Sequence, residues 1–256
     1  MLFRSFGVSD FANVTKLSGI KVPSLPGVVK DMVEMGELLG KAGIPPERRI
    51  VLYNEKATTA ALRKALADLR EKTAPDDAVM LYVSSHGMPK QEGLAGLGYP
   101  VTWDTRLNDK SSIIDFEEIR ESLAALPARQ VLWIADTCHS GGAAIGLPSV
   151  EFSTRNIVIS RVHGLSAQLG ADIAGKDLAV LTSSRADQPS IDDNASGHGL
   201  FTFHLLRGMQ AAADRETSYQ LFKKYVEPGV TAAARAMQSV QQPGFGRIGK
   251  GDLIVF

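Results

Sequence analysis

Two unbroken runs of apolar residues constrain the fold of this chain most strongly. The segments AVMLYVS (78–84) and QVLWIA (130–135) are rich in β-branched and aromatic residues and show no alternation of polar and apolar positions. A strand that faces water on one side alternates, whereas a strand covered by helices on both faces does not. Both runs therefore predict strands of a parallel sheet that is buried on two faces.

Strand-like and helix-like segments alternate along the chain. We predict strands at Phe3–Val8, Arg49–Tyr53, Ala78–Ser84, Gln130–Ala135, Leu178–Thr182 and Asp252–Phe256. Apolar residues at helical spacing predict helices at Gly27–Ala42, Thr58–Lys72, Asp115–Leu126, Gly199–Ala213 and Thr217–Gln238, the last interrupted at Pro228–Gly229. This alternation indicates βαβ units. The predicted fold is therefore α/β, with a mostly parallel sheet of about six strands and helices on both faces.

Two segments lack these patterns and are predicted to be loops, Gly87–Asn108 and Gly141–Lys176. Both are rich in glycine, and long loops in compact domains are often functional. The chain has 256 residues, 44% of them hydrophobic and 22% charged, which is ordinary globular composition. A chain of this length could form one large α/β domain or two small ones, and we expect a single domain over residues 1–256.

Charge and composition narrow the classes of partner. The 28 Lys and Arg residues balance the 28 Asp and Glu residues, so the chain has no bulk attraction for nucleic acid or anionic lipid, and we expect no nucleic-acid partner. The sequence contains no run of 18 apolar residues, which predicts no membrane span. Its first ten residues lack a long apolar run, so we expect no secretory signal. The single cysteine, Cys138, excludes an intramolecular disulfide and favours the cytoplasm as the compartment.

Reactive side chains follow directly after the two buried strands. The first strand runs into His86 and Gly87, and the second runs into Cys138, His139 and Ser140. The carboxyl ends of neighbouring parallel strands lie at one edge of a sheet, where sites commonly form. A thiol nucleophile needs a base within reach. We therefore predict Cys138 as a nucleophile and His86 as its base.

Glycines beside these two residues support the same chemistry. Gly141 and Gly142 permit a tight turn after the cysteine, and Gly87 permits close approach of a substrate carbonyl to the backbone. The N–H groups of Gly87 and Cys138 are the predicted oxyanion hole.

Alternative roles exist for each reactive residue. A lone cysteine can be an inert core residue. Zinc binding by Cys138 and His139 would need further ligands at short spacing, and the sequence has no second cysteine. His139 is nearer in sequence, but adjacent side chains of an extended chain point to opposite faces. His86 is therefore the preferred base, ahead of His139, His163, His198 and His204.

Two motifs around these residues are similar to those of a known family. Ser84-Ser85-His86-Gly87 is similar to Ser-Gly-His-Gly, and residues 136–142, DTCHSGG, are similar to Asp-x-Cys-x-Ser-Gly. The chain thus resembles the caspase-like cysteine peptidases of the bacterial and metacaspase-type branch. The histidine lies about 50 residues before the cysteine, as in caspases. Residues 25–31, 181–188 and 198–202 also resemble family segments, so the likeness extends along nearly the whole chain.

The resemblance implies a cysteine endopeptidase with Cys138 as nucleophile and His86 as general acid/base. It places Asp136 and Ser84, and more weakly Asp31, in the pocket for the substrate residue before the scissile bond, called P1. A buried carboxylate needs a cationic partner, so cleavage after Arg or Lys is expected. The family division gives a large part at about 1–142, a loop at about 143–176 and a small part at about 177–256. Self-cleavage in that loop would follow Arg155, Arg161 or Lys176.

Several alternatives remain open at this stage. Asp136 could cap a backbone N–H, and Asp31 could simply favour a helix dipole. Ser85 replaces the family's usual glycine, which could narrow the cleft. A preference for Asp at P1 would need a basic pocket residue such as Arg185. A non-enzymatic caspase-like interaction module is the third reading, although such relatives typically lose the cysteine or histidine that this chain keeps.

We predict no metal and no cofactor, and we leave calcium activation open as an alternative that no acidic cluster supports. Calcium-dependent relatives carry an acidic cluster, and calcium takes six to eight oxygen ligands. The loop after His86 offers only Glu92, Asp104 and Asp109 before the next helix. The pairs Asp76–Asp77 and Asp192–Asp193 are interpreted as solvated turns. The expected partner is a protein or peptide substrate, and the sequence leaves its identity and the oligomeric state open.

Overall fold

One seven-stranded sheet spans the residues that the computed structural model describes, which are 1–144, 149–152, 176–193, 195–212 and 216–249. The strands are β1 Leu2–Gly7, β2 Arg49–Tyr53, β3 Ala78–Ser85, β4 Gln130–Thr137, β5 Ser149–Phe152, β6 Asp177–Thr182 and β7 Gly244–Ile248. Their order is β2-β1-β3-β4-β6-β7-β5. The first five strands in this order are parallel, and β7 runs antiparallel to both β6 and β5. The predicted fold class is confirmed.

Helices cover both faces of this sheet. They are α1 Ala12–Ser18, α2 Gly27–Lys41, α3 Thr59–Lys72, α4 Phe116–Ala124, α5 Leu200–Ala211, α6 Ser218–Leu221 and α7 Glu227–Ala236. One core cluster includes Leu66 of α3 and Phe116 of α4, and a second includes Met35 of α2 and Phe201 of α5. Alternate residues of β3 enter the two clusters, Val79, Leu81 and Val83 the first and Met80 and Tyr82 the second. Burial on both faces explains the unbroken apolar run.

Side-chain caps explain where two of the helices begin. The Thr58 side chain accepts from the backbone N–H of Ala61, and Asp115 accepts from that of Glu118 at 2.8 Å. Both caps satisfy amide groups that have no partner within the helix.

The predicted interruption at Pro228–Gly229 is wrong. A π-helical turn, Phe222–Val226, joins α6 to α7, and Pro228 lies in the first turn of α7. Proline lacks the N–H that would bond back into the preceding turn, and that preceding turn is here the wider π-helical one.

Three further differences concern strands and a short helix. The predicted loop Gly141–Lys176 contains the strand β5. A 3₁₀ turn at Ser140–Ala144 lies at the start of this loop, before β5. The helix α1 and the strand β7 were not predicted, and the predicted strand Asp252–Phe256 lies outside the described residues. Within the described part of the chain, no helix is both long and apolar enough to cross a membrane.

Candidate active site

The sheet register brings the two predicted catalytic residues to one edge. Strands β3 and β4 pair in parallel, with Ser84 opposite Asp136 and Ser85 opposite Thr137. The next residues, His86 and Cys138, therefore leave the sheet side by side. Both line one cleft of about 60 Å³, together with Leu25, Val28, Asp31, Ser84, Ser85, Asp136, Ser190, Asp192 and Gly199.

A backbone carbonyl holds the His86 ring. Its Nε2 atom lies 2.8 Å from the carbonyl oxygen of Pro23, and the ring packs against Phe11 with centroids 4.6 Å apart. Burial lowers the pKa of His86, although the carbonyl contact opposes this change. A neutral ring that donates from Nε2 has Nδ1 free to accept a proton. The ring is therefore suited to act as a base near neutral pH.

The Cys138 sulfur lies partly buried beside polar backbone. The N–H of Ser190 donates to Sγ at 3.3 Å. Burial raises the pKa of the thiol, and the N–H groups of Ser190 and Gly87 oppose that rise. Nearby Asp136 and Asp192 raise it further. The resting sulfur is therefore a protonated thiol that needs a base to become a nucleophile.

Glycine is required where the two strand ends meet. A Cβ atom on Gly87 would lie 1.8 Å from the carbonyl oxygen of Cys138, so the backbones of these residues are in close contact. The turn after the cysteine is equally tight, because a Cβ on Gly141 would lie 2.4 Å from the Ala186 nitrogen. The predicted N–H pair of Gly87 and Cys138 thus belongs to neighbouring backbone, and its role as an oxyanion hole stays a prediction.

His139 is turned away from the cleft. Its φ of 59° is left-handed, its Nδ1 lies 2.9 Å from the Ala186 carbonyl oxygen, and its N–H donates to the carbonyl of Gln188. The residue therefore anchors the turn after Cys138 to the 186–188 segment. His204 also lies outside the cleft, and His163 lies outside the described residues.

Two predicted pocket carboxylates converge on one point. A Cβ on Gly199 would lie 2.9 Å from an oxygen of Asp136 and 3.1 Å from an oxygen of Asp31. Asp136 accepts hydrogen bonds from the hydroxyls of Thr202 at 2.6 Å and Ser190 at 2.9 Å. Burial raises the pKa of Asp136, and these hydroxyls oppose the rise. Asp136 lines the cleft, and it also accepts from the backbone N–H of Thr202, so the alternative that it caps a backbone N–H is borne out as well.

Asp31 does more than favour a helix dipole. Its side chain is fully buried and accepts from His198 Nδ1 at 2.6 Å and from the N–H of Gly199 at 3.0 Å. Burial raises the pKa of Asp31 to about 7, the His198 hydrogen bond lowers it, and the Asp136 charge raises it. This carboxyl is therefore poised between its two charge states near neutral pH.

Asp192 also lines the cleft, so its interpretation as a solvated turn is wrong. Burial raises its pKa to about 6, with a further contribution from Asp136. Its strand partner is Gly199, which places it beside the other two carboxyl groups. No local sequence pattern indicates this position, because the fold brings Asp192 beside Asp136 and Asp31 from distant parts of the chain. Ser84, predicted from the resemblance, lies buried in the same cleft.

The remaining candidates lie elsewhere. Arg185 pairs with Asp187 at 3.4 Å and is not among the residues that line the cleft, and no other described Arg or Lys lines it. Lys176 is buried, and its ammonium donates to the carbonyls of Ala124 and Leu126. Arg155 and Arg161 lie outside the described residues. Across the described ranges, no group of three or more His, Cys, Asp or Glu side chains is arranged to hold a metal ion.

Comparisons with known proteins agree with this architecture. The crystal structure of protein GSU0716 from Geobacter sulfurreducens is similar, with a TM-score of 0.63 and 17% sequence identity over 98% of this chain and 95% of that one. At this identity the likeness shows the fold alone. No curated protein matches the chain significantly. A family model described as the caspase domain matches residues 6–247. Since that match covers nearly the whole sequence, the chain belongs to the caspase-domain family of cysteine peptidases.

Proposed function

We propose that the protein is a cysteine endopeptidase that cleaves after Arg or Lys. The observation that carries this proposal is the composition of one cleft, which Cys138 and His86 line together with three carboxyl groups. No described Arg or Lys lines the same cleft, so its charge favours a cation. The proposal includes the metacaspase-type branch, because its motifs are the ones that the sequence resembles.

The reaction uses the two strand-end residues in turn. His86 accepts the Cys138 proton, and the thiolate attacks the scissile carbonyl to form a tetrahedral oxyanion. The N–H groups of Gly87 and Cys138 stabilise that oxyanion. His86 then protonates the departing amine, which leaves a thioester on Cys138. Water, deprotonated by His86, hydrolyses the thioester and restores the free thiol.

The carboxyl groups account for specificity. A guanidinium can form paired hydrogen bonds with a carboxylate, and an ammonium pairs with it as a point charge. Oxygens of Asp136 and Asp31 both lie near the position that a Cβ of Gly199 would take, and both residues line the cleft, so a cation bound beside Gly199 would contact both. Burial makes the ionised form of these carboxyl groups unfavourable when no cation is bound. A bound substrate cation offsets that cost.

Peptide kinetics test the proposal. Fluorogenic peptides with Arg or Lys at P1 should be cleaved rapidly, and a matching peptide with Asp at P1 should not be cleaved. Replacing Cys138 or His86 by Ala should abolish turnover, whereas His204→Asn, outside the cleft, should leave it unchanged.

Each alternative corresponds to a distinct outcome. Retained turnover in Cys138→Ala or His86→Ala would refute the catalytic assignment. Equal cleavage after Asp and Arg by the wild type would refute the pocket. No turnover of any peptide, with no labelling by a basic peptide fluoromethyl ketone, would favour the interaction module.

A further inference from the structure

His198 lies behind the proposed P1 pocket, with a carboxylate at each ring nitrogen. It is 3% exposed, its Nδ1 lies 2.6 Å from an Asp31 oxygen, and its Nε2 lies 3.4 Å from a Glu34 oxygen. The N–H of the next residue, Gly199, donates to the second Asp31 oxygen at 3.0 Å. The reaction described above assigns no role to this histidine.

Two carboxylates favour one protonation state of the ring. A neutral imidazole has one donor and one acceptor, so one of its nitrogens would face a carboxylate with a lone pair. The imidazolium donates from both nitrogens. A buried cation is tolerated when it is paired, and here both partners are anionic. The arrangement therefore favours the doubly protonated ring.

This contact acts on a carboxyl group that burial would otherwise neutralise. Burial and the Asp136 charge both raise the pKa of Asp31, whereas the hydrogen bond and the charge of His198 lower it. Ionised Asp31 is the form that binds a cation. Among the interactions of Asp31, the histidine and the Gly199 N–H are those that favour this form.

We propose that His198 is a specificity-determining positioning residue, which as an imidazolium holds Asp31 ionised and oriented toward a cationic P1 side chain. This inference rests on the proposed function. The histidine touches neither the reacting atoms nor the nucleophile, so it acts through Asp31. Its removal should weaken binding of basic substrates and leave the intrinsic reactivity of Cys138 unchanged.

Several other groups lie near His198 and Asp31 and contribute to the pH dependence of their contact. On α2, the ammonium of Lys30 lies 3.8 Å from Glu34 and donates to the carbonyl of Ser196. On the 192–199 segment, Asp193 interacts electrostatically with the histidine and caps the N–H groups of residues 195 and 196. Asp192 lines the cleft on the same segment.

The neighbours from the other elements carry no charge. From β3, buried Tyr82 stays neutral because its pKa is raised well above its ordinary value. From α5, the uncharged ring of Phe203 packs 5.8 Å from the histidine ring.

The test compares the wild type with His198→Asn, which keeps a hydrogen-bond donor near the Nδ1 position and removes the charge. The readouts are kcat/KM for an Arg peptide between about pH 5 and pH 9, and the rate of Cys138 alkylation by iodoacetamide. We expect kcat/KM to fall about tenfold at neutral pH, mainly through KM. The acid limb of its pH profile should move to higher pH, because Asp31 loses the partner that lowers its pKa. The alkylation rate should not change.

Glu34→Gln provides a milder variant that removes the carboxylate at Nε2, together with its 3.8 Å ion pair to Lys30, and His204→Asn is the matched control on α5. We expect Glu34→Gln to lower kcat/KM for Arg by a smaller factor, about threefold, because the ring nitrogen Nε2 then faces a neutral amide in place of a carboxylate. This variant decides the question if His198→Asn does not fold.

Three outcomes would overturn the inference. An unchanged kcat/KM and acid limb in His198→Asn would show that Asp31 does not need the histidine. An equal slowing of alkylation and peptide cleavage would show a merely structural role. A wild type that alkylates normally but does not cleave Arg or Lys peptides would overturn the proposed function and this inference with it, whereas an active wild type with unaffected variants overturns this inference alone.

Discussion

Three carboxyl groups share the cleft beside Cys138, and burial raises the pKa of each of them, Asp31, Asp136 and Asp192. Each raised pKa reflects the cost of holding a negative charge away from water near other negative charges. In the proposed function, this cost to the stability of the free protein is offset when the cation of a basic substrate binds.

Asp192→Asn should have opposite effects on stability and activity. The folded-state pKa of Asp192 is raised to about 6, so its contribution to stability is present below its unfolded pKa and is lost as pH rises through about 6. The amide of the variant does not titrate, so the variant does not lose this stability as pH rises. Because Asp192 is partly exposed and solvent screens its charge, urea unfolding should show the variant more stable than the wild type by only on the order of 1 kcal/mol at about pH 8, and equal to it below about pH 4. Its kcat/KM for Arg peptides should fall. A variant that is less stable at the alkaline pH would contradict the assigned cause.

Gly87→Ala should nearly abolish catalysis. The added methyl would meet the Cys138 carbonyl oxygen, so the backbone that carries the proposed oxyanion donors would have to move. Loss of one such donor typically costs about 10²- to 10³-fold in kcat. Gly96→Ala is the matched control in the same loop, because a Cβ there meets nothing within 4 Å. Comparable kcat values for both variants would contradict this account.

The sequence was sufficient to place His86 and Cys138, because each directly follows a strand buried on both faces and parallel pairing brings such ends together. It was not sufficient for Asp192 or His198. Their roles depend on contacts across the fold, with Asp136 and with Asp31 respectively, and no local pattern records those contacts.

The segment around Ser190 connects Cys138 to a carboxyl group of the cleft. Ser190 donates its N–H to the Cys138 sulfur and its hydroxyl to Asp136. Gln241, just before β7, braces this segment, since its amide nitrogen donates to the Ser183 carbonyl and to Ser190 Oγ. Its amide oxygen accepts from the next N–H along the segment at 2.9 Å. The catalytic and binding parts of the cleft thus share one support.

Gln241→Ala should damage both stability and turnover. The glutamine is 1% exposed, and its loss leaves the buried carbonyl of Ser183 and a partly buried N–H unpaired, at a cost of about 1–3 kcal/mol for the carbonyl. Activity should fall even under conditions where the variant is folded, as judged by circular dichroism. Gln242→Ala is the control, since that partly exposed side chain contacts Gln188 instead. Equal effects of the two substitutions would contradict the bracing role.

At the element level, strands that are buried on both faces could be predicted. A strand whose partners are distant in the sequence could not. The strands β3 and β4 are apolar on both faces and were recognisable. The strand β7 has the sequence GFGRI, with two glycines, and it exists because β6 and β5 pair with it on either side. The helix α1 has seven residues and only one buried side chain, too little for a periodic pattern.

For the whole molecule, strands from the parts before and after the proposed self-cleavage region pair with each other in one sheet. The strand β5 precedes the proposed cleavage region and pairs with β7 after it, and β4 pairs with β6 across the same region. Ladder hydrogen bonds and both core clusters therefore join the halves without the intervening chain.

We accordingly predict that protein cut after residue 152 and before residue 177 stays associated. Incubated wild type should give two bands on a denaturing gel and a single peak of unchanged size in gel filtration, whereas Cys138→Ala should stay one band. A single wild-type band with full activity on added peptide would refute self-cleavage. Two separate peaks under native conditions would contradict the role of the sheet.

The central claim is that Cys138 and an anionic pocket act together in one cleft. Intact-mass spectrometry after incubation with peptidyl fluoromethyl ketones tests it most directly, because the adduct reports the nucleophile and the P1 preference at once. The account predicts one adduct, on Cys138, from the Arg reagent and essentially none from its Asp counterpart, with both absent in Cys138→Ala. Equal labelling by the two reagents, or no labelling by the Arg reagent, would contradict it.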